Sequence, residues 1–429
     1  MWNKGAELQN MDDHSSASPS PSIAHRAVRR RPVVLTGLLG VASLAGCGSL
    51  SSKPRPASTD DPGTMSPTAA PEDFSTESAP EASASATPNP LDGWTLEQKV
   101  GQLLMVGADT SGPQMVSIDA VATHHVGNVF IARQTRSGAD SVRGVITALT
   151  DLVGSETTHD TPLLVATDQE GGQVQVLGGS GFSDIPSASE QAIMSTDDLT
   201  ASARTWGQEL ADVGVTMNLA PVADLVDIPD PSSNAPIGRW GREYGQSATT
   251  SLDRATAFAR GMEAAGVIPT YKHFPGLGRV TANTDTADGV TDSITTRSGD
   301  PAVSVFADAI TGGAKVIMVS SAIYSAIDSS APAMFSTVVV TDMLRGDLGF
   351  TGVVITDDVS AAVQVDAWTP AQRAVQAVKA GCDIVLASAD ATMVADMAEA
   401  LIAEAQADPA FAQRVDESAT RVISLKAGS

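Results

Sequence analysis

The sequence is poor in cysteine and in basic residues. Only Cys47 and Cys382 occur among 429 residues, which excludes a framework of several disulfide bonds. Lysine and arginine number 26 against 50 acidic residues, for a formal net charge of −24. Such an excess of carboxylates repels nucleic-acid phosphates, so we expect no nucleic-acid partner. Hydrophobic residues make up 42% of the chain, so most of it is predicted to be globular.

Residues 1–46 predict an export signal that is removed from the mature protein. A basic segment at residues 25–31 precedes an apolar stretch at residues 33–45, which is too short to cross a bilayer as a mature helix. The sequence Leu-Ala-Gly-Cys that ends at Cys47 resembles a bacterial lipobox, in which the cysteine receives lipid. We therefore expect a lipoprotein anchored through Cys47 at the outer face of the cell membrane. The alternative is a plain signal peptide with a chance cysteine, and the basic segment fits either the general or the twin-arginine export route.

Residues 47–90 predict a flexible tether that carries the lipid. Serine, proline, threonine and alanine dominate this segment, for example Ser-Ala-Ser-Ala-Thr-Pro at residues 83–88. This composition offers too little apolar surface to offset the entropy lost on ordering. The folded domain is therefore predicted to occupy residues 91–429.

Eight short apolar runs recur along this domain, with room for a helix between successive runs. They occupy residues 103–106, 129–132, 164–167, 217–220, 269–272, 316–319, 353–356 and 384–386. Apolar runs without polar alternation are typical of parallel strands covered by helices, and residues 251–265 and 369–380 have helical patterns. The sequence therefore predicts an α/β fold, a (β/α)₈ barrel of the TIM type. A doubly wound open sheet is the alternative, although the third glycine of its dinucleotide fingerprint is missing after Gly278.

Polar residues follow four of these runs. In a barrel, the carboxyl ends of the strands meet at one face, where active sites form. The polar segments are Asp-Gln-Glu-Gly-Gly at residues 168–172, Pro-Val-Ala-Asp at 221–224, Lys-His at 272–273 and Asp-Asp at 357–358. One such segment alone is more often an ordinary turn, but four together indicate a functional site.

In this order, the motifs resemble those of glycoside hydrolase family 3, in particular its single-domain branch of bacterial β-N-acetylglucosaminidases. The similarity runs from residues 94–102 through the polar segments and Lys-His-Phe-Pro-Gly at residues 272–276 to Ile-Thr-Asp-Asp at residues 355–358. It covers essentially all of residues 91–429. The resemblance implies a TIM barrel and an exo-acting β-glycosidase that releases terminal sugars from a glycan with retention of configuration.

The resemblance also implies roles for individual residues. Asp357 matches the family's nucleophile, which forms a covalent glycosyl-enzyme intermediate. The residues expected to bind sugar are Asp168, Asp224, Arg242, Lys272 and His273. The two aspartates would accept hydrogen bonds from sugar hydroxyls, and the cationic groups suit charge-assisted bonds to a polyol. Glycosyl transfer to water needs no cofactor, so none is expected.

A metal site is the rival interpretation of the adjacent carboxylates Asp357 and Asp358. No ligand spacing typical of a metal site links the histidines of the domain, which are His124, His125, His159 and His273. We therefore predict no bound metal. If the strand continues past residue 357, Asp358 points to its other side, where a structural hydrogen-bonding role is expected.

Two segments depart from the family. After Lys-His-Phe-Pro-Gly the branch usually carries an Asp-His acid/base dyad, and an ungapped alignment puts Asn283 and Asp285 at these positions. The dyad is missing, so Asp285 becomes the predicted general acid/base, with Asp288 and Glu243 as alternatives. After Gly172 the family usually has arginines where this chain has Gln-Val-Gln-Val, which weakens the expectation of an N-acetylglucosamine preference.

Three interpretations therefore stand. The first is an active retaining glycosidase that uses Asp357 and Asp285. The second is a catalytically silent sugar-binding lipoprotein that kept the pocket and lost the acid. The third is an unrelated barrel enzyme. Turnover of aryl glycosides separates the first from the second.

Overall fold

The computed structural model of the protein describes residues 89–428. The predicted signal at residues 1–46, Cys47 and almost all of the predicted tether lie outside these residues. Within the described range, no helix is both long and apolar enough to span a membrane.

Strands and helices alternate along the described chain. The strands are β1 (Leu104–Asp109), β2 (Asn128–Ala132), β3 (Leu164–Thr167), β4 (Gln169–Gly171), β5 (Val174–Gln175), β6 (Met217–Asn218), β7 (Ile268–Pro269), β8 (Tyr271–Phe274), β9 (Thr291–Asp292), β10 (Val316–Val319), β11 (Ile323–Tyr324), β12 (Val353–Thr356) and β13 (Val385–Ala387). The α-helices are α1 (Leu96–Gln102), α2 (Met115–Ala122), α3 (Ala139–Thr150), α4 (Ser155–Thr158), α5 (Ala188–Gln191), α6 (Thr196–Ala211), α7 (Ala248–Ala264), α8 (Pro301–Thr311), α9 (Pro370–Ala380), α10 (Val394–Ala407) and α11 (Pro409–Ala427). Short 3-10 turns occupy Pro231–Ser233, Gly238–Trp240, Ala333–Phe335, Val363–Val365 and Ala391–Met393, and Val338–Asp347 forms a π-helix.

The principal strands form two parallel sheets. One sheet has the order β13-β1-β2-β3-β6-β7, and the other has the order β12-β10-β8. Only Thr270 separates β7 from β8, and a parallel bridge joins Ile355 of β12 to Ile384, which precedes β13. Two short pairs, β4 with β5 and β9 with β11, lie outside these sheets. The predicted α/β class with parallel strands is confirmed.

All eight predicted strands are present, with some changes of bounds. The run at residues 103–106 becomes β1, which continues to Asp109, and the run at residues 269–272 is divided between β7 and β8. Proline has no amide hydrogen for a sheet ladder, and Pro269 lies where the fifth strand is interrupted. The two helices predicted from their sequence patterns correspond to α7 and α9.

The buried apolar side chains form two clusters, divided by the alternation of side chains along the strands. On β1, Leu104 and Val106 belong to the larger cluster, which also contains the apolar faces of the helices, whereas Met105 belongs to the smaller cluster. The smaller cluster combines side chains of both sheets, such as Phe130 of β2 and Met318 of β10. Both faces of the strands are therefore apolar and covered, because successive side chains of a strand point to opposite faces.

A buried group of ion pairs attaches α11 to the strands. Asp383 is fully buried, and its carboxylate lies 2.6 Å from Arg345, 2.6 Å from Arg414 and 3.2 Å from Arg421. The Val354 amide of β12 donates to the same carboxylate at 2.9 Å. These partners compensate the loss of hydration that burial imposes on the carboxylate.

Candidate active site

A cavity lies next to the carboxyl ends of β3, β8, β12 and β13. Its wall is formed by Asp168, Val174, Leu219, Pro236, Arg242, Lys272, His273, Leu277, Asn283, Thr284, Asp285, Met318, Asp357, Asp358, Leu386 and Ser388. Six of the seven residues predicted to act on the substrate therefore line one cavity. The seventh, Asp224, does not line the cavity but accepts hydrogen bonds from His273 and Leu277 of its wall.

Asp357 follows β12 directly, and its position is determined by the sheet. Its backbone amide donates to the carbonyl of Val319, the last residue of the neighbouring strand β10, at 2.9 Å. Its carboxylate accepts from Ser321 Oγ at 3.2 Å and from the Asp358 amide at 2.9 Å. The carboxylate is thus held in one position at the cavity wall by a strand end and two donors.

Asp358 also lines the cavity, and it is nearly completely buried. Its Oδ1 accepts from Ser360 N at 2.9 Å, from Ser360 Oγ at 2.7 Å and from Ser388 N at 3.1 Å. Burial raises the pKa of Asp358 to about 6. The predicted hydrogen-bonding role agrees with these contacts, which connect the end of β12 to the residue that follows β13.

Two carboxylates and two cations form an ion-pair network in the wall. Lys272 Nζ lies 2.7 Å from Asp168 Oδ1 and 2.6 Å from Glu170 Oε1. Arg242 binds Glu170 in a bidentate manner, with Nε 2.9 Å from Oε2 and Nη2 2.7 Å from Oε1. The network holds Lys272 and Arg242 in place before a substrate binds.

Burial disfavours the charged forms of Glu170, Arg242 and Lys272, but the opposite charges around them outweigh burial. Arg242 and Lys272 hold the pKa of Glu170 well below its usual range, and Asp168 and Glu170 raise the pKa of Lys272 above its usual value. Glu170 is therefore anionic and Lys272 cationic at neutral pH. The sequence interpretation gave Glu170 no role, although its place in Asp-Gln-Glu-Gly-Gly was a signal.

Asp224 supports His273. It is fully buried, and its Oδ2 lies 2.6 Å from His273 Nδ1. Its Oδ1 accepts from the amides of His273 at 3.1 Å and Leu277 at 2.7 Å. The Asp224 oxygens are thus occupied within the protein, and Nε2 is the nitrogen of His273 that is available to a ligand.

Asp285 lies on the β8–β9 loop (residues 275–290), where it lines the cavity together with Asn283. The Asp285 amide donates to Asn283 Oδ1 at 3.0 Å. Burial, aided by the neighbouring charge of Asp357, raises the pKa of Asp285 against the opposing influence of Arg242 and His273. A carboxyl group with a raised pKa keeps its proton to higher pH, which a general acid requires.

The two alternative acids of the sequence interpretation lie elsewhere. Asp288 is exposed further along the same loop, and within residues 89–428 neither Asp288 nor Glu243 belongs to the cavity wall. Burial raises the pKa of Glu243, but away from this wall. Asp285 is thus the one of the three that faces the cavity.

Side chains that the sequence pattern did not single out hold the β8–β9 loop. Arg279 of the loop binds Asp227 in a bidentate manner, at 2.8 and 2.7 Å, and reaches Asp300 at 2.8 Å. The fully buried Asn234 donates to two carbonyls of the loop, at 2.9 and 2.8 Å. Their partners are distant along the chain, so no local sequence signal identified them.

The Gln-Val-Gln-Val segment after Gly172 contributes an apolar contact to the cavity. Val174 lines the wall. Gln175 is engaged inside the protein, since its Nε2 donates to the carbonyls of Leu177 at 3.0 Å and Ser183 at 2.8 Å. In the segment that departs from the family, Gln175 therefore stabilises the surrounding backbone, and Val174 faces the cavity.

Cys382 is not part of the cavity wall in residues 89–428. Cys382 is fully buried, and burial raises the pKa of its thiol to about 12, so it is protonated at neutral pH. In the part of the chain that the structure describes, no group of three or more His, Cys, Asp or Glu side chains is arranged to hold a metal ion.

The cavity combines the groups that glycoside hydrolysis needs. Asp357 and Asp285 bring two carboxyl groups to one cavity, and glycoside hydrolysis commonly uses a pair of carboxyl groups. Lys272, Arg242 and His273 place hydrogen-bond donors in the same wall, and such donors suit a polyol. On a parallel α/β fold, these features are those of a glycoside hydrolase.

Comparison with known proteins identifies the family. The model of the glycosyl hydrolase family 3 N terminal domain matches residues 95–425. The chain belongs to this family, which confirms the resemblance seen in its motifs. It is a glycoside hydrolase, and the matched domain has a TIM-barrel-like α/β fold.

The chain is similar to several solved and curated proteins. A crystal structure of β-N-acetylhexosaminidase from Beutenbergia cavernae is 54% identical, with a TM-score of 0.77 over 78% of this chain and 98% of that chain. The family 3 β-N-acetylglucosaminidase from Paenibacillus sp. is 29% identical, with a TM-score of 0.70 over 77% of this chain and 62% of that chain. The β-hexosaminidase LpqI of Mycobacterium tuberculosis is 30% identical over 342 residues, which cover 76% of this chain and 82% of LpqI.

Proposed function

We propose that the protein is a retaining, exo-acting β-glycosidase of the β-N-acetylhexosaminidase type. The observation that carries this proposal is the placement of Asp357, directly after β12, in the same cavity as the half-buried Asp285. The similar proteins are named β-N-acetylhexosaminidase, β-N-acetylglucosaminidase and β-hexosaminidase, which supports the sugar class.

Asp357 attacks the anomeric carbon while the Asp285 proton passes to the leaving oxygen, and the glycosidic bond breaks. The product of this step is a glycosyl ester of Asp357. Asp285, now a carboxylate, takes a proton from water, which attacks the same carbon and releases Asp357. Two inversions at one carbon retain its configuration.

The sugar is held by the network on the cavity wall. Lys272, Arg242 and His273 donate to sugar hydroxyls, and Asp168 accepts from them. Asp224 acts through His273, because its own oxygens already accept hydrogen bonds from His273 and Leu277. Glu170 acts through Arg242 and Lys272 in the same way.

We expect the native protein to hydrolyse 4-nitrophenyl β-glycosides, which supply a good leaving group to the proposed pair of carboxyls. A panel with N-acetylglucosamine, glucose, xylose and arabinose measures the activity and ranks the sugars by kcat/KM. The silent sugar-binding alternative, which the asparagine at position 283 favours, predicts binding by calorimetry without turnover of any member. Binding without turnover would therefore contradict the proposal.

We also propose that the two parallel sheets form one closed eight-stranded barrel. The bridge between Ile355 and Ile384 supports closure on one side, and the short interruption between β7 and β8 supports it on the other. The smaller apolar cluster, in which side chains of both sheets meet, occupies the place of a barrel interior.

Residues 1–46 are proposed to export the protein, and a lipid on Cys47 is proposed to anchor it. A relative from Arthroderma benhamiae, 33% identical over 276 residues, is named a secreted glycosyl hydrolase, which agrees with export. Changing Cys47 to serine is expected to release the protein into the medium, because no thiol remains for the lipid. Fractionation of producing cells measures this, with Cys382→Ser as the control that stays in the membrane fraction. A Cys47→Ser protein that remains with the membranes would contradict the anchor.

A further inference from the structure

Gln364 connects the segment that follows the nucleophile's strand to the β8–β9 loop. It lies in the 3-10 turn Val363–Val365, after β12, and only 5% of its surface is exposed. Its side-chain Oε1 accepts from Val290 N at 2.8 Å, and its Nε2 donates to Val290 O at 3.1 Å. Its backbone amide donates to Thr284 O at 3.1 Å.

These three hydrogen bonds bracket Asp285. Thr284 immediately precedes Asp285 and Val290 ends the loop, and both are buried, at 2% and 4% exposure. A buried backbone group that loses its partner is costly, so the bonds restrict this part of the loop to one position. The same loop departs from the sequence that the family usually has there.

We propose that Gln364 is a positioning residue that sets the place of the Asp285 carboxyl relative to Asp357. This inference rests on the proposed function, in which Asp285 is the general acid. β12 and its pairing with β10 hold Asp357, whereas Asp285 lies on a loop. A loop residue reaches catalytic precision only when its backbone is held by neighbouring groups, and Gln364 supplies that support from the nucleophile's side.

The test is Gln364→Met, which keeps the length of the side chain and removes both bonds to Val290. We expect kcat/KM to fall by about 10- to 100-fold for a 4-methoxyphenyl glycoside, whose leaving oxygen needs a proton, since a misplacement of about 1 Å costs about 100-fold. For a 2,4-dinitrophenyl glycoside, which needs little protonation, we expect a loss of less than about threefold. A general loss of structure would lower both values together.

Gln98→Met is the matched control. Gln98 is also 5% exposed, its Nε2 donates to Ser155 O at 2.9 Å, and its Oε1 accepts from Thr95 N at 3.2 Å, but it does not line the cavity. This variant is expected to leave the ratio of the two substrates unchanged. If Gln364→Met fails to fold, Gln364→Glu keeps the acceptor for Val290 N, loses the donor to Val290 O, and provides the same comparison.

Equal losses on the two substrates, or no loss on either, would overturn the role of Gln364. Asp285→Asn, measured beside it, separates this failure from that of the proposed function. If Asp285→Asn shows the dependence on leaving group and the Gln364 variants do not, only the inference about Gln364 is wrong. If Asp285→Asn shows none, the assignment of the acid is wrong, and the inference that depends on it is overturned as well.

Discussion

Replacing Asp357 by asparagine is expected to lower kcat/KM for an aryl β-glycoside by about 10⁴-fold or more while the protein stays folded. Asparagine has the same shape: its oxygen can take the place of Oδ1, which accepts from the Asp358 amide, and its NH2 group, in the place of Oδ2, can donate to Ser321 Oγ. The neutral amide is a poor nucleophile, so the glycosyl ester does not form at a useful rate. The loss is measured by initial rates, and circular dichroism checks the fold.

Asp366→Asn is the matched control, because Asp366 is an exposed aspartate in the segment that follows β12. It is expected to leave kcat/KM within about twofold of the native value, as surface substitutions usually do.

A 2-deoxy-2-fluoro glycoside should leave a sugar adduct on the peptide that contains Asp357. The anomeric proton signal early in the reaction reports the configuration of the first product. A first product of inverted configuration, or an adduct on another residue, would contradict the role of Asp357 as nucleophile.

Replacing Asp285 by asparagine is expected to lower kcat/KM for a 4-methoxyphenyl glycoside by about 10²- to 10⁴-fold, the usual contribution of a general acid. A 2,4-dinitrophenyl glycoside is expected to lose much less, since its phenol leaves without a proton. kcat/KM is the quantity to compare because it reports the steps through glycosylation. Asp288→Asn, on the exposed part of the same loop, is the control and is expected to change neither substrate.

The pH profile provides a second measurement of the same group. Burial raises the pKa of Asp285, and the charged or titratable side chains that influence it are Asp357, Asp358, Arg242 and His273. An acid must be protonated to act, so kcat/KM of the native enzyme should fall as pH rises through the pKa of Asp285. The Asp285→Asn variant should lack this alkaline limb. A limb that persists would direct attention to Asp358, a carboxyl of the cavity wall whose pKa burial raises to about 6, and not to Asp288 or Glu243.

The motifs predicted much of the site because the type of each side chain, and the point at which a strand ends, can both be read from a short stretch of sequence. Asp357 and Lys272 could be placed at a common face since each lies on or just after an apolar run, and parallel strands align their carboxyl ends. The same reasoning did not find Glu170, Arg279 or Gln364. Their roles depend on partners far away in sequence, such as Arg242 for Glu170, and a single sequence carries no record of such contacts.

The local pattern of the sequence by itself determined the α/β class, the order of the eight strands along the chain and the start of α9. Capping residues and apolar runs act over a few neighbours: Thr369 caps α9 through Gln372, and Pro370 occupies its first turn. The motif alignment favoured Asp285 over Asp288 and Glu243, but only the tertiary structure decided which of these carboxyl groups shares a cavity with Asp357. Long-range contacts place Asp285 in the cavity, and burial there, which no local pattern encodes, raises its pKa.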